Sequence, residues 1–542
     1  MVNKESGHRI RHMSILFICL ELCLWCNHYN TGIPRCQPAS EKSFIRKYCA
    51  KGIITMKNKR ITSAALCALL LLFSVGCSES SDEPGNNLSN NSSSTGDTSE
   101  TSISEQEHDD LPTDLDYSGK TFEILTYRGG NLKETTGGNY YNLVVDKEDG
   151  DVLNDAGYKV TTAVEDRLGI DLVCTETSET TNVVPTLRKE YMSGDCKYNL
   201  VMPHTLEKFT PLITDNILFD FSDLRYVDLS KKYYNANAIS SMTIAGKTYS
   251  VAGSYAMVPA LPLSYLYNKK VAEDLGITGL YDLVREGVWT HDKFMEIIKD
   301  TYRDLDGDGK KSEGDFYGFS TFKTCLIYTY CGYGGETVIP VKDGFEFGFG
   351  SERSVRIMEK LVDLCKSQDA GYRDNWNIFF GGNSVFCLYA SGSDKLRGLN
   401  FDFGILPIPK LDETQENYMV FSHGGYTAVP ASIENPDMTG AVIEALYSTA
   451  DKYMPQAIID QYIEGKLLTD EDDIEMFRLL NSNDVRVYDL TRYIDPSGKI
   501  GGYALIEKLI KKDSGNIMSE WASIQAGVTE SFKEFYDSVA NN

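Results

Sequence analysis

From about Tyr117 to its C-terminus the chain alternates short β-rich runs with amphipathic helical stretches, and after residue 265 the same grammar starts again. That alternation is the signature of α/β architecture, in which each helix packs back onto a sheet. KTFEILTY (Lys120 to Tyr127) reads as a strand ending in a glycine turn at Gly129 and Gly130. DVLNDAGYKVTTAVEDRLGIDLVCTE reads as a helix over about Asp151 to Leu168, a stop at Gly169, then a strand. KYNLVMP (Lys197 to Pro203) and KTYSVAG (Lys247 to Gly253) are two further strands. The second round brings long helices and then the strands SVFCLYA (Ser384 to Ala390) and DFGILPIP (Asp402 to Pro409). The restart predicts two α/β lobes, with no sequence repeat between them.

The segment ahead of this body carries targeting information. Met56 opens KNKR, the apolar run ITSAALCALLLLFSVG follows, and the run stops at Cys77. A basic start, an apolar stretch and small residues before a cleavage point are the parts of a secretory signal, here 56–76. Val75 and Gly76 before Cys77 resemble a bacterial lipobox, with Ser74 where leucine is usual. The resemblance implies a diacylglycerol on Cys77, and two acyl chains anchor stably where one is marginal. The run is shorter than the roughly 20 residues a membrane span needs. Residues 1–55 read as an upstream extension and are set aside from fold reasoning. After Cys77, residues 77–116 are almost free of apolar side chains and read as a disordered tether. About 35 such residues would hold a body some 30 Å from its anchor.

Without residues 1–77, the 53 Lys+Arg and 78 Asp+Glu become 42 and 75, a net charge of −33. Such a chain repels nucleic acid, so no nucleic-acid partner is expected. The remaining length exceeds one ordinary core. Six cysteines follow Cys77, with no CxxC pair among them, which argues against a zinc site and against a dense disulfide framework. Cys325 and Cys331 fit either a bridge or two buried thiols.

LSYLYNKKVAEDLGI (Leu263 to Ile277) followed by GVWTHDKFMEIIKD (Gly287 to Asp300) resembles the extracellular solute-binding proteins of family 1, the receptors of ABC importers. FFGGNSVFCLYASGS, FDFGILPIPK and GGYTAVPASIENPDMTGAVIEAL continue the resemblance in the same order toward the C-terminus. It implies a two-lobed periplasmic-binding-protein-like fold with hinge-crossing strands near Met257 to Leu263 and Val420 to Tyr426. The N-lobe would take 118–257 and 428–475, and the C-lobe 258–427 and 476–542. It also implies an oligosaccharide ligand, ABC permease subunits as partners, and a monomer held at the outer face of the cell membrane.

A sugar site needs flat aromatic faces for the apolar side of a pyranose and polar groups for its hydroxyls, placed at strand C-termini. Tyr127 and Arg128 follow the first strand, His204 the second and Tyr255 the third. Tyr330, Trp376, Ser391 and Asp394 come from the other lobe, and His423 and Tyr426 from the second crossing. In a chain with 33 Tyr each of these has a packing alternative, and Trp376 fits a sugar platform or the core equally. Trp289, at a helix start, reads as packing.

The sharpest local motif is DLDGDGKKSEGD, Asp304 to Asp315. Asp304, Asp306 and Asp308, a turn glycine at Gly309, the carbonyl of Lys310 and a carboxylate at Asp315 match an EF-hand-like calcium loop, with Asp in place of the bidentate Glu. A structural calcium is expected there; the plain alternative is an acidic turn. GxSxG, HExxH and Walker sequences are absent and histidines are few, so no catalytic residue is assigned. A surface glycan-active enzyme and a glycan-binding adhesin without a transporter remain the competing classes.

Overall fold

The computed structural model describes residues 109–541 except 128–142, 180, 205–206, 257–261, 343, 373–375, 392, 422–424, 465–466, 469, 483–485, 488–493 and 501–503. The signal, Cys77 and the tether therefore lie outside the described residues. β1 (Lys120–Tyr127), α1 (Val152–Leu168) and β2 (Ile170–Thr177) form the first unit. Asp151 starts α1 by accepting the amides of Leu153 at 3.1 Å and Asn154 at 3.0 Å. Gly169 ends it at φ +67, where a Cβ would lie 2.7 Å from Ser118 Oγ. Glycine is thus required both for the left-handed turn and for the close approach of the chain entering β1. Between those caps Leu153, Ala156, Val160, Val164 and Leu168 bury one helical stripe.

β1 pairs in parallel with β2, and on its other edge with β3 (Leu200–Met202), giving the order β2-β1-β3. α2 (Val183–Ser193) connects β2 to β3. Antiparallel bridges Val201 to Ala428 and Val251 to Thr427 extend this sheet with the returning chain. α3 (Ala236–Met242) precedes a hairpin in which Thr243–Ile244 pairs with Lys247–Thr248. The KTYSVAG strand is split as a result. Ala245 and Gly246, both at positive φ, fold its first residues back on the preceding strand, and Val251 bridges to the sheet.

The chain then passes through 257–261 into a second sheet. β4 (Leu263–Asn268) and β5 (Tyr317–Thr321) are followed by α4 (Leu326–Gly332) and α5 (Glu352–Lys366). β6 (Ala370–Tyr372), β7 (Ser384–Ala390) and β8 (Phe403–Leu406) complete the order β6-β5-β7-β4-β8. β4 runs antiparallel to β7 and β8, while β5 is parallel to β6 and β7. DFGILPIP shortens to β8 because Pro407 has no amide to continue the ladder. Its carbonyl instead accepts the indole N–H of Trp289 at 2.8 Å. Trp289 is fully buried, in a ring cluster with Tyr265, Phe294 and Phe386, and Phe319 stacks on Tyr265 at 5.2 Å.

After Val420–Phe421, which pairs with Arg486–Val487, the chain returns through 422–424 to the first sheet. α6 (Pro436–Glu464) packs on α1, and α7 (Glu471–Asn481) sits on β8. α8 (Ile517–Ala540) lies over both lobes. Its Trp521, Phe532 and Tyr536 cover Phe345, Phe347 and Phe349 of the second lobe. At its far end the Val539 carbonyl accepts Lys247 Nζ of the first lobe at 3.3 Å. The architecture is the expected two-lobed α/β fold, its chain crossing between the lobes at 257–261, at 422–424 and again between α6 and α7, so that Asp473 lies with the second lobe rather than within an N-lobe segment running to 475. Cys325 and Cys331 are both thiols rather than a disulfide. Among the described residues no helix is long and apolar enough to cross a membrane.

Candidate functional site

The C-terminal ends of β1 and β3 place Tyr127 and His204 together. Both are buried, and their rings meet edge to face, 5.0 Å apart at 90°. His204 bridges to Gly425, which brings the second crossing alongside. A Cβ on Gly425 would lie 2.4 Å from the Met202 side chain, so the approach needs glycine. Three residues beyond His204 the buried Glu207 accepts the Val184 amide at 2.9 Å, at the start of α2, whose own N-cap residue makes no side-chain cap. Burial pushes this carboxyl up to about 7, against the hydrogen bonds it accepts from backbone amides.

On the second sheet the ends of β5 and β7 build an aromatic group. Trp376 is half-buried, its ring 4.2 Å from Phe322 and 4.7 Å from Tyr389. Its indole N–H donates to the Leu388 carbonyl at 3.3 Å, which fixes the ring orientation. Ser391 is buried, with both its amide and its hydroxyl donating to Pro262 O at 3.2 Å, tying the end of β7 to the end of the first crossing. Asp394 opens a 3-10 turn over Asp394–Gly398, and its side chain lies outside the described residues, as do Arg128 and His423.

Three other nominated tyrosines point into the protein. Tyr255 is buried and its hydroxyl donates to Leu143 O at 3.2 Å. Tyr330 is buried against Gly335, with its hydroxyl on Glu336 O at 3.3 Å. Tyr426 is buried beside Phe209, ring centroids 5.8 Å apart. In this conformation they support the strand ends and offer a ligand no exposed ring face. Sequence reasoning passed over Phe322, although it follows β5 by the same strand-end rule that selected Tyr127. It also passed over Glu207, for which nothing in the local sequence signals burial.

In the acidic loop Asp304, Asp306 and Asp315 bring ligand oxygens within 4.8 Å of one another. The loop is preformed by its own amides. Gly307 and Gly309 donate to the two oxygens of Asp304 at 2.7 and 2.8 Å, and Leu305 and Ser312 donate to Asp315. Gly307 and Gly309 take positive φ, as a sharp turn demands. Asp308 accepts the Lys310 amide at 2.7 Å and stands outside the trio. The hydrogen bond from the Asp308 amide lowers the Asp306 pKa, yet desolvation and the neighbouring carboxylates outweigh it and hold it above the usual carboxylate range.

No protein-family model matches the chain, and no curated protein is similar to it. Solved structures share its two-lobed α/β fold. A cyclo/maltodextrin-binding protein complexed with maltotetraose superposes with a TM-score of 0.50 at 14% identity, covering 77% of this chain and 96% of that one. The galacto-N-biose/lacto-N-biose I-binding protein of the ABC transporter from Bifidobacterium longum, in complex with lacto-N-biose, gives 0.48 at 14% identity, covering 77% and 97%. UgpB from Mycobacterium tuberculosis in complex with glycerophosphocholine gives 0.45 at 16%, covering 73% and 98%. At 14% identity the first of these likenesses establishes the fold alone.

Proposed function

We propose that this chain is a membrane-tethered receptor that captures an oligosaccharide outside the cell and hands it to an ABC permease, without turning it over. The observation that carries the reading is an aromatic group on each sheet, Tyr127 with His204, both buried in this conformation, and Trp376 with Phe322, both half-buried. Aromatic faces suit pyranose rings and the strand-end loops supply polar groups, the chemistry a sugar site needs. Cys77 is the proposed lipid attachment point, and the protein acts as a monomer.

The test is a thermal-shift and calorimetric screen over mono- and oligosaccharides, amino acids and peptides, with products checked for new reducing ends. A sugar that binds stoichiometrically and stays intact supports the receptor. New reducing ends would replace it with a glycan-active enzyme, and silence from every sugar would remove the carbohydrate reading. Small-angle scattering should show compaction at saturating ligand if the lobes close on it.

The loop of Asp304, Asp306, Asp308, Lys310 and Asp315 is proposed to hold a structural calcium. Calcium at a hundredfold excess over its Kd adds about 2.7 kcal/mol to the folded state, so the melting temperature should rise from EDTA to calcium. Asp306→Ala should abolish that rise. Identical melting in both buffers would rule out the ion.

A further inference from the structure

A polar cavity of about 460 Å³ lies between α3 of the first lobe and the segments that follow α4 and precede Val420 in the second. None of the strand-end residues described above lines it. One wall is the face of α3 that presents Asn237, Ser240 and Ser241 at helical spacing. The facing wall is built on Arg353, in the first turn of α5.

The Arg353 guanidinium is held by neutral oxygens. Nε donates to Gly334 O at 3.0 Å, and Nη2 donates to Tyr333 O at 2.7 Å and to Gln415 Oε1 at 3.3 Å. Gln415 is itself fixed, with Nε2 donating to the carbonyls of Gly332 at 2.9 Å and Asn417 at 2.8 Å. Gly334 completes the seat. It sits at φ +71, and a Cβ there would lie 2.4 Å from Nη2, so any side chain would evict the guanidinium. Among the described residues no carboxylate forms an ion pair with Arg353, and Nη1 donates to no protein oxygen. Burial lowers its pKa, as does the nearby charge of Arg356, yet a guanidinium stays protonated under any working condition. A rigid, half-buried cation with an unused donor is thus held at the wall of a polar cavity in a strongly acidic chain.

We propose that this cavity is a second solute site, taking a sugar-sized, hydroxyl-rich molecule whose oxygen accepts from Arg353 Nη1. Its volume falls in the range of small-molecule sites. The hydroxyls and amides of its walls supply the mix of donors and acceptors that a polyol matches. Glu336 and Glu416, both exposed at its edge, disfavour a multiply charged anion. A neutral sugar and a sugar monocarboxylate share the required chemistry. Any occupant touches both lobes at once.

Saturation-transfer NMR on the full chain, with D-glucose and D-glucuronate as separate millimolar probes, tests the site. Saturation transfer from at least one probe is expected in the wild type and in Trp376→Ala, with affinity reduced at least tenfold in Arg353→Met. Ser240→Phe fills the cavity from an exposed helix position, so it tests the site even where Arg353→Met fails to fold, and the same tenfold loss is expected. Response to glucuronate alone identifies a sugar acid, and response to glucose a neutral sugar. No transfer from either probe to the wild type would overturn the proposal. So would transfer that survives Ser240→Phe in the Trp376→Ala background, or that disappears in Trp376→Ala and so belongs to the strand-end aromatic site.

Discussion

Glu207 and Glu444 in the first lobe and Asp473 in the second are all buried carboxyls, yet the two lobes accommodate them differently. Glu444, on α6, accepts the hydroxyls of Tyr233 and, at 2.8 Å, Tyr234, together with the Asp228 amide at 3.3 Å. Glu207 has a backbone amide on one oxygen, while the other is buried without a hydrogen-bond partner. Neither forms an ion pair among the described residues. Asp473 meets a cation, Lys269 Nζ at 2.7 Å, and also accepts the Tyr281 hydroxyl at 2.6 Å and the Ile405 amide at 3.0 Å. Burial raises the pKa of all three. An opposing cation therefore offsets desolvation only in part, as expected for buried pairs. The difference is one of response, since the first lobe holds a carboxyl poised near neutrality and the second holds a charge pair.

The comparison breaks most visibly if the second lobe loses its cation. Lys269→Met strands Asp473 as a buried anion and should cost about 3 kcal/mol in urea denaturation at neutral pH. The loss should shrink as the pH falls and Asp473 takes up a proton. Hydrogen exchange should locate the loosening in α7 and β8; loosening confined to the first lobe would contradict the packing described.

Glu207→Gln sharpens the contrast from the other side. The folded-state pKa of about 7 lies above the ordinary value of 4.5, so the protonated form favours folding. That contribution is complete below pH 4.5 and is lost as the pH rises to 7. The variant should thus match wild type at pH 4 and exceed it by about 3 kcal/mol at pH 8. A constant difference across that window would mean that Glu207 is ionised throughout.

The smallest expected effect compares the two strand-end groups directly. Once the screen yields a binding sugar, Trp376→Ala and Tyr127→Ala should each weaken it about tenfold, or about 1.4 kcal/mol. Calorimetry on both decides whether one lobe dominates capture. Full affinity in both variants would move the sugar away from these residues.

Much of the fold was legible because its signals are local. Asp151 and Gly169 bracket α1 in the sequence as they do in space, and KTFEILTY and SVFCLYA form strands over their full lengths. Trp289 was readable as packing from its place before a helix-starting Thr290, which caps the next helix. KTYSVAG misled because a two-residue turn at Ala245 and Gly246 outweighed its β propensity. Of the candidate site, Tyr127 and His204 were nominated by the rule that ligands gather at strand ends, and Trp376 as an aromatic fitting a sugar face or the core equally. What stayed hidden is non-local. Glu444 lies more than two hundred residues from its tyrosines, and Arg353 is seated by carbonyls that no composition or spacing reveals.

Helix α8 follows every strand of both sheets along the chain, yet it packs on both lobes. Neither lobe can acquire its full set of contacts while the chain is still growing. Until Trp521 and Phe532 arrive, Phe345 and Phe347 remain without their cover, so a partly made molecule presents aromatic surface that the finished one hides. Synthesis of α8 thus becomes a checkpoint for maturation, and a stop ahead of Ile517 would be felt at Phe345 and Phe347, far upstream in the chain.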